Sequence, residues 1–193
     1  MDNPQPDIKT IFGKTGDTTY QVPRIDVATH ALNTIDYPHH EIHDGDAFTC
    51  SYTVDLAQSA AANLLIVTPD TTRYAHFGWL LHCELEADMA LYEAVTATAA
   101  ANPSVAYNRE RNWATTSTVV VTHTPTGVTE GATIIRSAHF GTGRTAGGSS
   151  DDGQEFILKR NTKYLFRVTN AVNSASNYIS IRLNWYEHTN RTA

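Results

Sequence analysis

The stretch KYLFRVTNAVNSASNYISIRLNWYEH, Lys163–His188, decides the fold. It reads as two strands, KYLFRVTN and NYISIRLNWYEH, joined by the polar link AVNSAS. In the second, Ile179, Ile181, Leu183 and Trp185 share one face, and Ser180, Arg182, Asn184 and Tyr186 share the other. In the first, Tyr164, Phe166 and Val168 alternate with Leu165, Arg167 and Thr169. A period of two means a sheet with one face buried and the other wet. The pattern predicts a hairpin at the middle of a sheet, so other strands must flank it.

Working outward, two more segments carry the same alternation. One turns Phe48, Cys50, Tyr52 and Val54 inward. The other turns Phe77, Trp79, Leu81, Cys83 and Leu85 inward and leaves His76, Gly78, Leu80, His82 and Glu84 outside. Leu64-Leu65-Ile66-Val67 is a short apolar run that fits a strand buried on both sides. Further strands are expected over Val27–Ile35, MALYEAV, Val119–Val121, Ile134–Ile135 and Phe156–Leu158. No convincing long helix emerges, and no repeat. Some nine or ten short strands separated by turn signals predict an all-β fold. Its form is expected to be an antiparallel β-sandwich of jelly-roll type. Residues 1–24, with three of the seven prolines, read as an extended N-terminal arm or a disordered tail. Residues 25–193 read as the sandwich domain. His139–Gly153, rich in Gly and Ser, reads as an exposed loop.

Composition narrows the function. The chain has 193 residues, enough for a core without metals or disulfides. A net charge of −6 advertises no basic surface for nucleic acid or an anionic membrane, although net charge does not fix distribution and leaves a local basic patch open. The polar start, MDNPQPDIKT, has no apolar stretch of a signal peptide, and no run is long enough to span a bilayer. Cys50 and Cys83 both have inward parity and read as small core residues, with a single bridge between them left open.

Candidate chemistry is sparse. PHHEIHDGD packs imidazoles and carboxylates together, and His39 and His43 are the weak metal candidates in it. His40-Glu41-Ile42-His43 is one residue short of H-E-x-x-H and is expected before a strand rather than in a helix. The cupin pattern of two histidines one residue apart is missing. His76 and His82 lie about 20 Å apart along one strand, too far to share an ion. They are expected on an outer face, within reach of His123 or His139 across it. There is no G-x-S-x-G elbow, and the glycines of 141–148 do not join a strand to a helix. Trp113, in the polar segment AYNRERNW, is the one tryptophan expected at the surface. No catalytic residue and no cofactor are expected.

EIHDGDAF after an early strand, TPDTTRYAHFGWLLHCELEADMALYEA, YNRERNW and the terminal NWYEH together resemble small structural proteins encoded among the head genes of tailed bacteriophages. The family resembled is that of capsid decoration, or cement, proteins with a jelly-roll core. The resemblance spans roughly residues 27–188 and rests on packing patterns, not on a catalytic signature. It implies a homotrimer on the outer capsid surface of a virion, made in the host cytoplasm, with the major capsid protein as partner. It carries over no site residues. The outward row Arg182, Asn184, Tyr186 and His188 is the expected subunit interface. Two other readings stand behind it. One is a receptor- or glycan-binding virion module using Trp113 and the 139–153 loop. The more distant is a metal-dependent cupin-like enzyme using His39, His43 and another histidine.

Overall fold

A computed structural model of the chain describes residues 37–100, 103–131, 133–141 and 155–189, together with two short strands near the N-terminus. The chain divides into two compact units, Met1–Tyr37 and Pro38–Ala193. In the first, β1 (Gly13–Lys14) pairs antiparallel with β2 (Tyr20–Gln21). Apart from that pair, the expected arm over 1–24 and the expected strand Val27–Ile35 lie outside the described residues.

A short helix, α1 (Tyr37–His43), leads into the sandwich. Twelve strands follow. They are β3 (Ala47–Leu56), β4 (Ala61–Val67), β5 (Arg73–Cys83), β6 (Ala87–Glu93), β7 (Thr96–Thr98) and β8 (Tyr107–Asn108). After them come β9 (Val120–His123), β10 (Thr126–Thr129), β11 (Thr133–Phe140), β12 (Phe156–Ile157), β13 (Lys163–Asn170) and β14 (Asn177–Thr189).

The pairing is nested: β3 with β14, β4 with β13, β5 with β12, and β6 with β11, all antiparallel. First therefore pairs with last along the strand order, as in one long ribbon folded over. Rolling that ribbon brings β14 beside β5 and β13 beside β6. This is the expected jelly roll. Its two five-stranded sheets run β12-β5-β14-β3-β8 and β11-β6-β13-β4-β9.

The central position expected of Lys163–His188 is correct, because β13 and β14 are each the middle strand of a sheet. The expected hairpin is not formed, since the two strands pair with others and lie in opposite sheets. Alternation reveals which side of a strand is buried. It does not reveal which strand lies alongside, and both apolar rows here face one core from opposite sides. Tyr164, Phe166 and Val168 meet Ile179, Ile181, Leu183 and Trp185 in the same buried cluster. Trp79 sits at the junction, 5.5 Å from the Phe166 ring across the core and stacked 5.9 Å from Phe156. Cys50 and Cys83 lie on the two strands flanking β14 as buried thiols without a disulfide, and burial pushes the Cys50 thiol up.

Leu65 and Leu165 point away from this core and are fully buried all the same. β7 and β10 form a small antiparallel pair, and Val95, Ala97 and Val128 cover both leucines. The run Leu64–Val67 is therefore buried on both sides, as expected of it, by a strand pair whose sequence reads as a break after Val95.

The link 171–176 crosses between sheets, which would strand polar backbone groups. Two buried asparagines satisfy them. Asn170 Nδ2 donates to the carbonyls of Leu56, Ala57 and Ala175 at 3.0–3.1 Å, and its Oδ1 accepts from Val172 N at 3.0 Å. Asn177 Oδ1 accepts from Leu85 N, and its Nδ2 donates to the Glu86 carbonyl, both at 2.9 Å. The β3–β4, β5–β6 and β13–β14 crossings are thus fastened together at one end. At other crossings Thr68 does the same work, its Oγ1 donating to the Lys159 carbonyl at 2.7 Å. Nearby the Tyr164 hydroxyl accepts from Lys159 N, and burial raises its pKa to about 12. An unsatisfied buried polar group costs about 1–3 kcal/mol. Asn170→Ala is expected to lower unfolding stability by about 3 kcal/mol in urea titration, whereas a loss under about 0.5 kcal/mol would mean that the crossings hold without it.

Candidate functional site

The outer faces of the two sheets differ. The β13 sheet is partly capped by β7 and β10. The β14 sheet presents three long central strands whose middle rows carry mainly hydroxyl, amide and glycine positions on the outward side. Register sets them in rows: Ser180 lies between Thr53 and His82, Arg182 between Ser51 and Leu80, and Asn184 between Thr49 and Gly78. Thr49 Oγ1 donates to Asn184 Oδ1 at 2.9 Å, and a weaker 3.4 Å bond joins Thr53 and Ser180. A Cβ added at Gly78 would meet nothing within 4 Å. The result is a flat polar area with few charges, from which the exposed Arg182 guanidinium projects.

The expected interface row divides on this face. Arg182 is exposed and Asn184 half-buried. Tyr186 is buried and His188 half-buried, because the chain covers its own surface there. Tyr186 stacks on His76 at 4.5 Å and donates from its hydroxyl to Glu155 Oε1 at 2.8 Å. His76 Nδ1 lies 2.9 Å from the same carboxylate oxygen. His76 and His188 face each other through their Nε2 atoms at 2.6 Å. Diagonal cross-strand neighbours of this kind meet readily on one face of a sheet.

His76 thus finds His188, not the expected His123 or His139. His123 stacks on Tyr52 at 5.0 Å and bonds to Ser104 at 2.9 Å. His139 belongs to β11 rather than to a loop. Asp88, 2.7 Å away, holds its imidazole protonated above the usual range. The remainder of the expected 139–153 loop, from residue 142, lies outside the described residues.

His39 and His43 lie on α1, which corrects the expectation of non-helical chain there. A seven-residue helix is too short to show a helical apolar period, and its Asp44-Gly45 end reads equally as a β-turn. Helical spacing brings their Nε2 atoms to 3.0 Å on an exposed face. His40 and Glu41 of the same helix and Asp44, just past its end, offer ligand atoms within 4.8 Å of one another. Both groupings have donors suited to a divalent cation. Gly45, at φ +75°, caps the helix in the left-handed conformation that favours glycine. Trp113 packs against it so closely that a Cβ there would lie 2.8 Å from the indole. The indole is still 52% exposed, as expected of it.

One polar residue escapes the sequence reading altogether. Glu187 is 1% exposed. Its carboxylate accepts from Ser117 Oγ at 2.7 Å, Thr118 N at 3.1 Å, Val119 N at 3.3 Å and Trp185 Nε1 at 3.1 Å, and also from Thr118 Oγ1. Its backbone N donates to the Asp46 carbonyl at 2.9 Å, and its own carbonyl accepts from Arg73. A signal for it exists: Glu187 continues the inward parity of Leu183 and Trp185, and a carboxylate at inward parity needs donors. Its chemistry is structural, tying the 115–119 segment to β14.

No protein-family model matches the chain, and comparison with curated proteins finds no relative.

Glu187→Ala would leave several buried donors unanswered, at about 1–3 kcal/mol each. The expected outcome is a stability loss of about 3 kcal/mol or more, with a shifted Trp185 emission in the folded state. A near-neutral variant in denaturant titration would show that water replaces the carboxylate.

Proposed function

We propose that this chain is a non-enzymatic structural protein of a virion. In this reading it decorates the outer surface of a phage capsid as a homotrimer and stabilises the shell. The observation that carries the reading is the contrast between the two sheet faces. The β13 sheet covers part of its outer side with β7 and β10, while the β14 sheet leaves a flat, weakly charged area around Arg182, Asn184 and Gly78. A surface of small hydroxyl and amide side chains can be covered by another subunit at low desolvation cost, provided its hydrogen bonds are re-made. The sequence resemblance to decoration proteins supports the same reading. So does the use of three of the most deeply buried polar residues, Asn170, Asn177 and Glu187, each of which holds chain segments in place.

The role also suits a modest interface. On a capsid the same site recurs many times, and a trimer engages several copies at once. Linked sites multiply weak affinities without any further interaction. In this reading the area around Arg182 joins the subunits, and the trimer as a unit engages the shell.

Light scattering of the purified chain is expected to give the mass of a trimer, and the protein to bind heads that lack it. Arg182→Glu is expected to shift the trimer toward monomer and to weaken head binding about tenfold or more, the scale of reversing a charge within a polar interface. A wild-type chain that stays monomeric and does not bind heads would contradict the proposal.

A further inference from the structure

The pair His76 and His188 has a hydrogen-bond arrangement that a metal site requires. His76 Nδ1 lies 2.9 Å from Glu155 Oε1, and His188 Nδ1 lies 3.0 Å from the Thr189 carbonyl oxygen. A carboxylate and a carbonyl only accept, so each Nδ1 is the protonated nitrogen of its ring. While both rings are neutral, each Nε2 presents a lone pair. The two lone pairs converge at 2.6 Å. Facing lone pairs at that distance repel, so the pair calls for a positive centre between its nitrogens, a shared proton or a metal cation.

The surroundings fit the same conclusion. Metal-bound histidines characteristically give their other N–H to a carboxylate or a backbone carbonyl, which fixes the tautomer and the ring plane. Both anchors are present here, one of each kind. Tyr186 adds a wall: its ring stacks on His76 at 4.5 Å and lies 5.8 Å from His188, while its hydroxyl holds Glu155 in place. His76 is 8% exposed and His188 half-buried, so the rings are held in place and His188 is still in contact with solvent.

We infer that His76 and His188 form a binding site for a divalent transition-metal cation of the zinc class, with solvent completing its coordination shell. Imidazole pairs select such ions over magnesium or calcium, which prefer oxygen. Zinc–nitrogen bonds of about 2.0–2.1 Å at a tetrahedral angle place the nitrogens about 3.3 Å apart. The rings must then part by about 0.7 Å from their present spacing, a small rotation for the half-buried His188. Bound there, the ion bridges β5 to the end of β14 and clamps the last strand of the fold to its neighbour.

The test is zinc competition against a chromogenic chelator on the full chain, with thermal melts alongside. The wild type is expected to take up zinc and to melt at higher temperature with it. His188→Gln is expected to bind at least tenfold more weakly with an unchanged circular dichroism spectrum, and Glu155→Gln about tenfold more weakly through loss of the orienting carboxylate. The double variant His39→Gln, His43→Gln, which removes the exposed pair on α1, is expected to keep the site. Independently of any variant, zinc is expected to move the imidazole NMR signals of His76 and His188 in the wild type. Absence of uptake would mean that a shared proton bridges the pair, and would overturn the inference. Unchanged affinity in His188→Gln, loss of zinc binding in the α1 double variant, or NMR shifts confined to other histidines would overturn it too.

Discussion

The structure depends on a constraint at the crossings between its sheets. A jelly roll must carry the chain repeatedly from one sheet to the other, and each crossing interrupts the hydrogen-bond ladder. Groups released there are buried, because the crossings lie against the edge of the core. Asn170 and Asn177 answer the need with their amides, each able to donate and accept. They fasten three crossings to one another, so the ends of β13 and β14 are fixed together although the strands never pair. With both positions set, the apolar rows of the two central strands meet across the core, and the nested pairing of the flanking strands follows.

How much of this is legible in the sequence depends on whether the signal is local. The face of each strand is legible: Phe48, Trp79, Leu81, Ile181, Leu183 and Trp185 are all buried as their parity implies. Strand partnership is not. A hairpin and a sheet-to-sheet crossing have the same alternation on either side of a polar link, and AVNSAS serves both. What distinguishes them is the asparagine at each end of the link, and the partners of those asparagines lie far off in sequence, at residues 56–57 and 85–86. The β7–β10 pair is hidden for a related reason, since its strands are too short to show a period.

The candidate site follows the same division. Placing Arg182 and Asn184 on an outer face needs only parity. That Tyr186 and His188 are partly covered cannot be read there, because Glu155 and His76 reach them from other strands. His39 and His43 are evident as donors, but their proximity needs the helix that a run of seven residues does not announce. Glu187 is easily overlooked, although its inward parity beside Trp185 marks it as a carboxylate in need of donors.

The account assigns structural work to the buried polar residues and leaves the flat area around Gly78 for a partner. Gly78→Trp separates the two directly. A Cβ added at this position meets nothing within 4 Å, so an outward side chain can leave the strand without a clash at its root. The decisive measurement is the melting temperature of this variant beside its association state and its binding to capsids. The account predicts melting close to wild type with trimer formation or capsid binding lost. An unchanged association state together with unchanged capsid binding would contradict it.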